Sequence, residues 1–339
     1  MYHGVRQLEI FNRLAVVGAL AMLAFNAAQG PAKAREISPE TKRARLMAGV
    51  QNWGYQLQKL NTTDLAASPF DLIVIDHAPD RVESVELTFR RAEIEALKVK
   101  PGGGRRLVLA YVSIGEAERY RFYWDDGWLE AGKRPTWLGA DNPQWAGNYP
   151  VEFWNPDWQR LIYGASDSYL ERVMEAGFDG VYLDRADVYQ QFPSHPTAEA
   201  EMADFVIAVA DHVRSLKPDA LVVMQNAEEL LRRKPVRARV DAIAKESLYL
   251  NPEAAAPATP ADTRDSISDL RLVRKAGHKV MVVEYTADAT NAAAARKRAE
   301  ADGFLIHFAE RSLSKLNVRG PDQQVTAGDP EAAPLAPLH

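Results

Sequence analysis

From Val50 to Ala309, short apolar runs alternate with amphipathic stretches. The runs are residues 50–57 (VQNWGYQL), 71–76 (DLIVID), 106–115 (RLVLAYVSIG) and 180–184 (GVYLD), followed by 221–226 (LVVMQN), 241–247 (DAIAKES), 279–285 (KVMVVEY) and 303–309 (GFLIHFA). Most are β-branched or aromatic, and continuous rather than alternating. That is the pattern of parallel strands covered on both faces.

The stretches between them carry helix signals. NPDWQRLIYGASDSYLERVMEAG opens with Asn155 as N-cap and Pro156 at the first helical position, and stops at Gly177. DTRDSISDLRLVRKAG stops at Gly277 and NAAAARKRAEADG at Gly303, each directly before a strand. Strand–helix repetition of this kind predicts an α/β fold, a single-domain (β/α)8 TIM barrel. An open doubly wound sheet is the rival, but no GxGxxG turn is present, and PGGGRR (101–106) precedes a strand instead of following one.

In such a barrel the carboxyl ends of the strands converge on one pocket. Here those ends offer Trp53 and Tyr55, then Asp76, then Tyr111, Ser113 and Glu116. Asp184 ends the fourth run with Asp187 just beyond it. Gln225 and Asn226 end the fifth, Glu246 lies in the sixth, and Glu284 and Tyr285 end the seventh. A lone acid at a strand end is commonly a loop cap or an ion-pair partner. Acids at five ends out of eight are harder to assign to capping, because clustered carboxylates repel and raise one another's pKa.

After the third run comes a long aromatic segment holding Trp124, Trp128, Trp137, Trp145 and Trp154. This content argues for an ordered loop with a role. Indole and phenol rings suit stacking on sugar, although some of these must form a local packing core. Tyr149 and Trp145, flanking AGN, are the candidates for substrate contact.

The chain has 339 residues, 47% hydrophobic and 26% charged, enough for a large core. Its net charge of -5 gives no basic footprint for nucleic acid. There is no cysteine, hence no disulfide and no thiolate metal site. Arg6 and Arg13 precede the apolar LAVVGALAMLAF and the small residues of PAKA, so residues 1–34 read as a signal peptide cleaved after Ala34, with NAA (26–28) as the second choice of site and an uncleaved N-terminal anchor as the rival. That predicts a secreted or periplasmic protein with no membrane attachment after cleavage. Residues 35–47 form a lead-in, 48–312 the barrel, and the Pro- and Ala-rich 313–339 a disordered tail.

The seven histidines show no HxH or HExxH spacing, GxSxG is absent, and there is no phosphate loop, so no metal and no cofactor is expected. Acids and aromatics without metal, hydroxyl nucleophile or thiol point to glycoside hydrolysis. A non-catalytic polysaccharide-binding or assembly protein on the same barrel is the alternative.

The segments AYVSIGEAERYRFYW, WAGNYPVEFWNPDW, GFDGVYLDRADVY and VVEY resemble glycoside hydrolase family 114, the endo-α-1,4-polygalactosaminidases, over about residues 48–312. The resemblance implies a (β/α)8 barrel acting on α-1,4-linked galactosamine polymers, with an Asp ending strand four and a Glu on strand six. These fall on Asp184 and Glu246 as the catalytic pair, Asp184 as nucleophile and Glu246 as general acid/base of a retaining hydrolysis. Their placement also allows an inverting one. VIDHAPD departs from the family in lacking a tyrosine soon after Asp76. Trp53, Tyr55, Asp76, Tyr111, Ser113, Glu116, Tyr149, Asp187, Asn226, Glu284 and Tyr285 are then expected to bind the sugar. The partner would be a polysaccharide, cationic if its galactosamine is free, since an acidic cleft concentrates such a chain.

Overall fold

The computed structural model describes residues 37–82, 85–251, 256–261 and 263–318. The predicted signal peptide, and the tail from residue 319 onward, lie outside these.

Each apolar run has become one strand: β1 (Trp53–Gln56), β2 (Leu72–Ile75), β3 (Leu107–Ser113), β4 (Gly180–Asp184), β5 (Leu221–Gln225), β6 (Ala242–Glu246), β7 (Lys279–Tyr285) and β8 (Leu305–Ala309). They form one sheet in chain order, every neighbouring pair parallel. β1 and β8 lie side by side without a shared ladder, so the circle is nearly closed. This is a (β/α)8 TIM barrel.

The helices are α1 (Pro39–Ala48), α2 (Thr62–Ala67), α3 (Arg91–Leu97), α4 (Pro156–Ile162), α5 (Tyr169–Ala176), α6 (Ala198–Leu216), α7 (Lys234–Arg237), α8 (Arg264–Lys275) and α9 (Ala289–Asp302). The stretch read as one helix from Asn155 to Gly177 is two. Asn155 caps α4 through its side chain, as expected, but Tyr163 is extended and Gly164 turns left-handed at φ 93°. Ser168 then starts α5, which ends at Gly177 with φ 94°.

Alternation along each strand divides the apolar residues into two cores. Leu72, Val74, Leu109, Tyr182, Val223 and Met281 fill the barrel. Ile73, Ile75, Val108, Val181, Val222 and Val282 face the helices. Burying such a side chain fully is worth about 1.5–3 kcal/mol, which is why neither face of these strands can be polar below the mouth.

Two segments outside the eight repeats complete the barrel. Met47 and Val50, at the end of α1 and just beyond, join the inner core, and Arg43 ties α1 to Asp241 at 3.1 Å. The lead-in thus plugs the amino ends of the strands. Residues 313–318, placed in the tail by sequence, pack instead over the seam between β1 and β8. Leu57 and Gln58 donate backbone N–H groups to the Leu313 carbonyl, and Asn317 donates to that of Phe308. Leu316 is buried against the outer core. The Pro- and Ala-rich composition that argued against order begins only beyond these two leucines.

Candidate active site

At the carboxyl ends of the strands opens a cleft of about 1110 Å³. Tyr55, Asp76, Tyr111, Glu116, Asp184, Asp187, Asn226, Glu246 and Tyr285 all line it, nine of the residues expected to act there. Gln225, Trp145, Arg121, Arg185 and Arg311 join them.

Asp184 and Glu246 occupy inward positions at the ends of β4 and β6, with β5 between. Each is held by a tyrosine from a neighbouring strand. Tyr111 donates to Asp184 Oδ2 at 2.7 Å, and Tyr285 donates to Glu246 Oε1. Asp184 Oδ1 accepts the Arg185 backbone N–H at 2.7 Å. Asn226 and Glu246 bond reciprocally: the Asn226 amide reaches Oε2 at 3.4 Å, and the Glu246 N–H donates to Asn226 Oδ1 at 3.2 Å. Burial first, then the charge of Glu246, pushes the Asp184 carboxyl well above the usual range. A second carboxyl so close makes Asp184 harder to ionise than an isolated acid. Lys245 points to the opposite face, as alternation requires, and pairs with Glu228 at 3.0 Å.

The backbone reinforces this placement. Arg185 (φ 62°), Asn226 and Ala227 (56° and 51°) and Ser247 (51°) are left-handed without being glycine, and lie within two residues of the ends of β4, β5 and β6. Such residues cost about 1–3 kcal/mol each and persist where surrounding packing imposes them. Gly115 is needed for the same turn: a Cβ there would lie 2.2 Å from the Arg185 carbonyl oxygen.

Asp76 is not a free carboxylate. Burial alone would raise it, but Arg121 grips both of its oxygens at 2.8 Å, and with His77 it holds Asp76 far below the usual range. Arg121 also donates to Glu118 at 2.6 Å. The pair therefore ties the loop after β3 to the end of β2. Arg185 is the second basic group that sequence reasoning missed. Its guanidinium lies 3.2 Å from Glu116 and 3.4 Å from Asp187. Burial nonetheless raises the Glu116 carboxyl, which also accepts from Asn142 at 2.9 Å. The RAD and ERYR motifs that carry these arginines were in view, but alternating charge along a loop does not reveal its pairings.

Four expected residues do not line the cleft. Trp53 is inward but one layer deeper, its ring 6.0 Å from that of Tyr55. Ser113 is buried beneath the mouth, accepting the Glu116 N–H at 3.2 Å and donating to the Glu116 carbonyl. Tyr149 is buried in the short strand Asn148–Pro150 and stacks on Trp124 at 4.9 Å. Glu284 faces outward, because alternation allows only one of Glu284 and Tyr285 to enter the barrel. It accepts the Tyr249 N–H at 2.7 Å, and burial pushes it up to about 7. Of the aromatic loop, Trp124, Trp128 and Trp137 form a chain of ring contacts ending on the buried Trp158, whereas Trp145 is 42% exposed at the cleft. His307 lies inside the barrel against Trp53, held neutral by burial. Among the described residues no group of His, Cys, Asp or Glu converges to hold a metal ion.

The profile of glycoside-hydrolase family GH114 matches residues 31–326. An uncharacterized protein of Deinococcus radiodurans is 36% identical over 288 residues, covering 84% of this chain and 88% of its own. One from Thermotoga maritima is 34% identical, covering 71% and 72%. The glycoside hydrolase domain of PelA from Pseudomonas aeruginosa superposes with a TM-score of 0.59 at 17% identity, covering 79% of this chain and 97% of that one. Aspergillus fumigatus Ega3, solved in complex with galactosamine, gives 0.59 at 18%, covering 79% and 94%. At these identities the two structures speak for the fold.

Proposed function

This chain belongs to glycoside hydrolase family GH114, and from that premise we propose that it cleaves an α-1,4-linked galactosamine-type polysaccharide through Asp184 and Glu246. The observation that carries the reading is the pair itself: two inward carboxyls, electrostatically coupled, each fixed by a tyrosine hydroxyl, in one cleft.

Burial and the Glu246 charge make Asp184 hard to ionise, but both of its oxygens accept hydrogen bonds, which favour the carboxylate that a nucleophile must present; Glu246 Oε2 has only the long contact with Asn226, leaving room for the proton of an acid. The Asp184 carboxylate attacks the anomeric carbon while Glu246 gives its proton to the departing glycosidic oxygen. A water then adds to the anomeric carbon, returning its proton to Glu246 and freeing Asp184. Strands two places apart lie about 9–10 Å from each other. Side chains reaching inward from both can therefore narrow the gap to the roughly 5–5.5 Å of a retaining pair.

Six carboxyl side chains line the cleft (Asp76, Glu116, Asp141, Asp184, Asp187 and Glu246) against the three guanidinium groups of Arg121, Arg185 and Arg311, so acidic groups are in excess there. A galactosamine chain carrying ammonium groups would be drawn in. The galactosamine complex of Ega3, on the same fold, supports this choice. With the signal-peptide reading of residues 1–34, the site of action would be the periplasm or the exterior. The test is to incubate the protein lacking residues 1–34 with deacetylated and acetylated hexosamine polymers and weigh the products. Oligosaccharides from the deacetylated galactosamine polymer are expected; their absence there, with release from another polymer, would reassign the substrate.

A further inference from the structure

Beside the cleft is a second cavity of about 600 Å³, built by the loop after β3. Tyr120, Arg121, Asp141 and Ala146 line both spaces, so the two adjoin along that loop. We propose that the second cavity is a binding subsite for a further sugar residue of the same chain whose scissile bond lies between Asp184 and Glu246. This rests on the glycosidase reading and extends it: the substrate is a chain long enough to leave the cleft.

The lining has the chemistry of a saccharide site, flat apolar surface beside polar groups that fix orientation. Trp124 is half-buried, backed on one side by Tyr149 at 4.9 Å and braced by Trp128 at 5.1 Å, so its indole is rigidly presented. Asp126 is beside it, largely exposed. Its Oδ1 takes the Trp124 indole N–H at 3.2 Å and two long contacts from Arg119 at 3.3 and 3.4 Å, which leaves Oδ2 open to a hydroxyl or ammonium group. Asp141, on the other wall, accepts the Gly147 N–H at 2.8 Å. Tyr120, 38% exposed, stands at the junction and donates to Glu118. A cavity of this size is within the range of about 300–1000 Å³ that small ligands occupy.

The loop is also held firmly enough to serve. Arg121 anchors its start to Asp76, and the antiparallel pairing of Glu116–Glu118 with Asn148–Pro150 closes it at the base. A ring on such a scaffold binds sugar with little ordering cost.

The experiment uses the Asp184→Asn protein, so that the chain is bound and not cut. Galactosamine oligosaccharides of increasing length are titrated by calorimetry into this protein and into versions that also carry Trp124→Ala or Asp126→Ala. Affinity should rise with length in the parent, and either added substitution should cost about tenfold on the longest chains, more than on the shortest. Asp126 is exposed, so its variant tests the subsite even if removing Trp124 loosens the loop; near-ultraviolet circular dichroism checks both. The same dependence on length in all three proteins would overturn the subsite while leaving the glycosidase reading intact. No binding at any length would overturn both the subsite and the choice of galactosamine as its sugar.

Discussion

The Tyr111 hydroxyl donates to Asp184 Oδ2 at 2.7 Å, from the strand next to the one that carries the acid. This bond favours the ionised carboxylate against burial and the charge of Glu246, which both push the other way. Removing it should make Asp184 harder to ionise. In Tyr111→Phe the acid limb of the kcat/KM profile should move to higher pH, by about one unit, with less effect near the optimum. A pH–rate profile of hydrolysis checks this; an unmoved acid limb would mean that Asp184 is not the group titrating there.

Asp184→Asn and Glu246→Gln should each lower kcat by about a thousandfold or more, with the fold retained, since a positioned acid or base contributes roughly 10²–10⁴. Release of reducing ends, read beside circular dichroism, measures it. Full activity in either folded variant would reject the pair.

Glu284 gives a prediction about stability. Its folded pKa of about 7 stands above the usual carboxyl value because it is buried, so between roughly pH 4.5 and 7 the folded state binds more protons than the unfolded one. Stability from this group is therefore complete below that window and is lost as pH rises through it, by on the order of 3 kcal/mol. Glu284→Gln should flatten the fall in Tm between those pH values, and a slope equal to the parent's would count against the assignment.

Leu316→Ala should cost about 2–4 kcal/mol in urea unfolding, because it opens a void over the seam between β1 and β8. A change within a few tenths of a kcal/mol would show the segment to be ornamental.

If the substrate is a polycation, KM on it should rise as salt is added from low ionic strength to about 0.5 M, while a neutral glycan would respond little. Steady-state kinetics on both polymers separate the cases.

The sequence made all eight strands legible, because strands buried on both faces must be apolar throughout. It also set Asp184 and Glu246 at strand ends, and both line the cleft, but the choice of these two among the acids came from the family resemblance. It could not say which of two adjacent residues points inward. That choice needs the pairing phase of each strand, which is why Glu284 was expected in the cleft beside Tyr285. Arg121 and Arg185 escaped for another reason: their partners, Asp76 and Glu116, lie tens of residues away, and only folding brings them together. The break at Gly164 was marked by a glycine among serines and acids, but the strong caps at Asn155 and Gly177 concealed it. Order in residues 313–318 depends on a groove that exists only after the barrel has formed.

The left-handed residues after β4, β5 and β6 have a consequence for engineering. Glycine at Arg185, Ser247 or Ala227 would relieve local strain, and a screen that selects only for heat resistance would be drawn to such changes. Each would also free the hinge on which a carboxyl or its amide partner turns. Thermal robustness and turnover should therefore pull in opposite directions at these few positions, and libraries meant to improve both should leave them fixed.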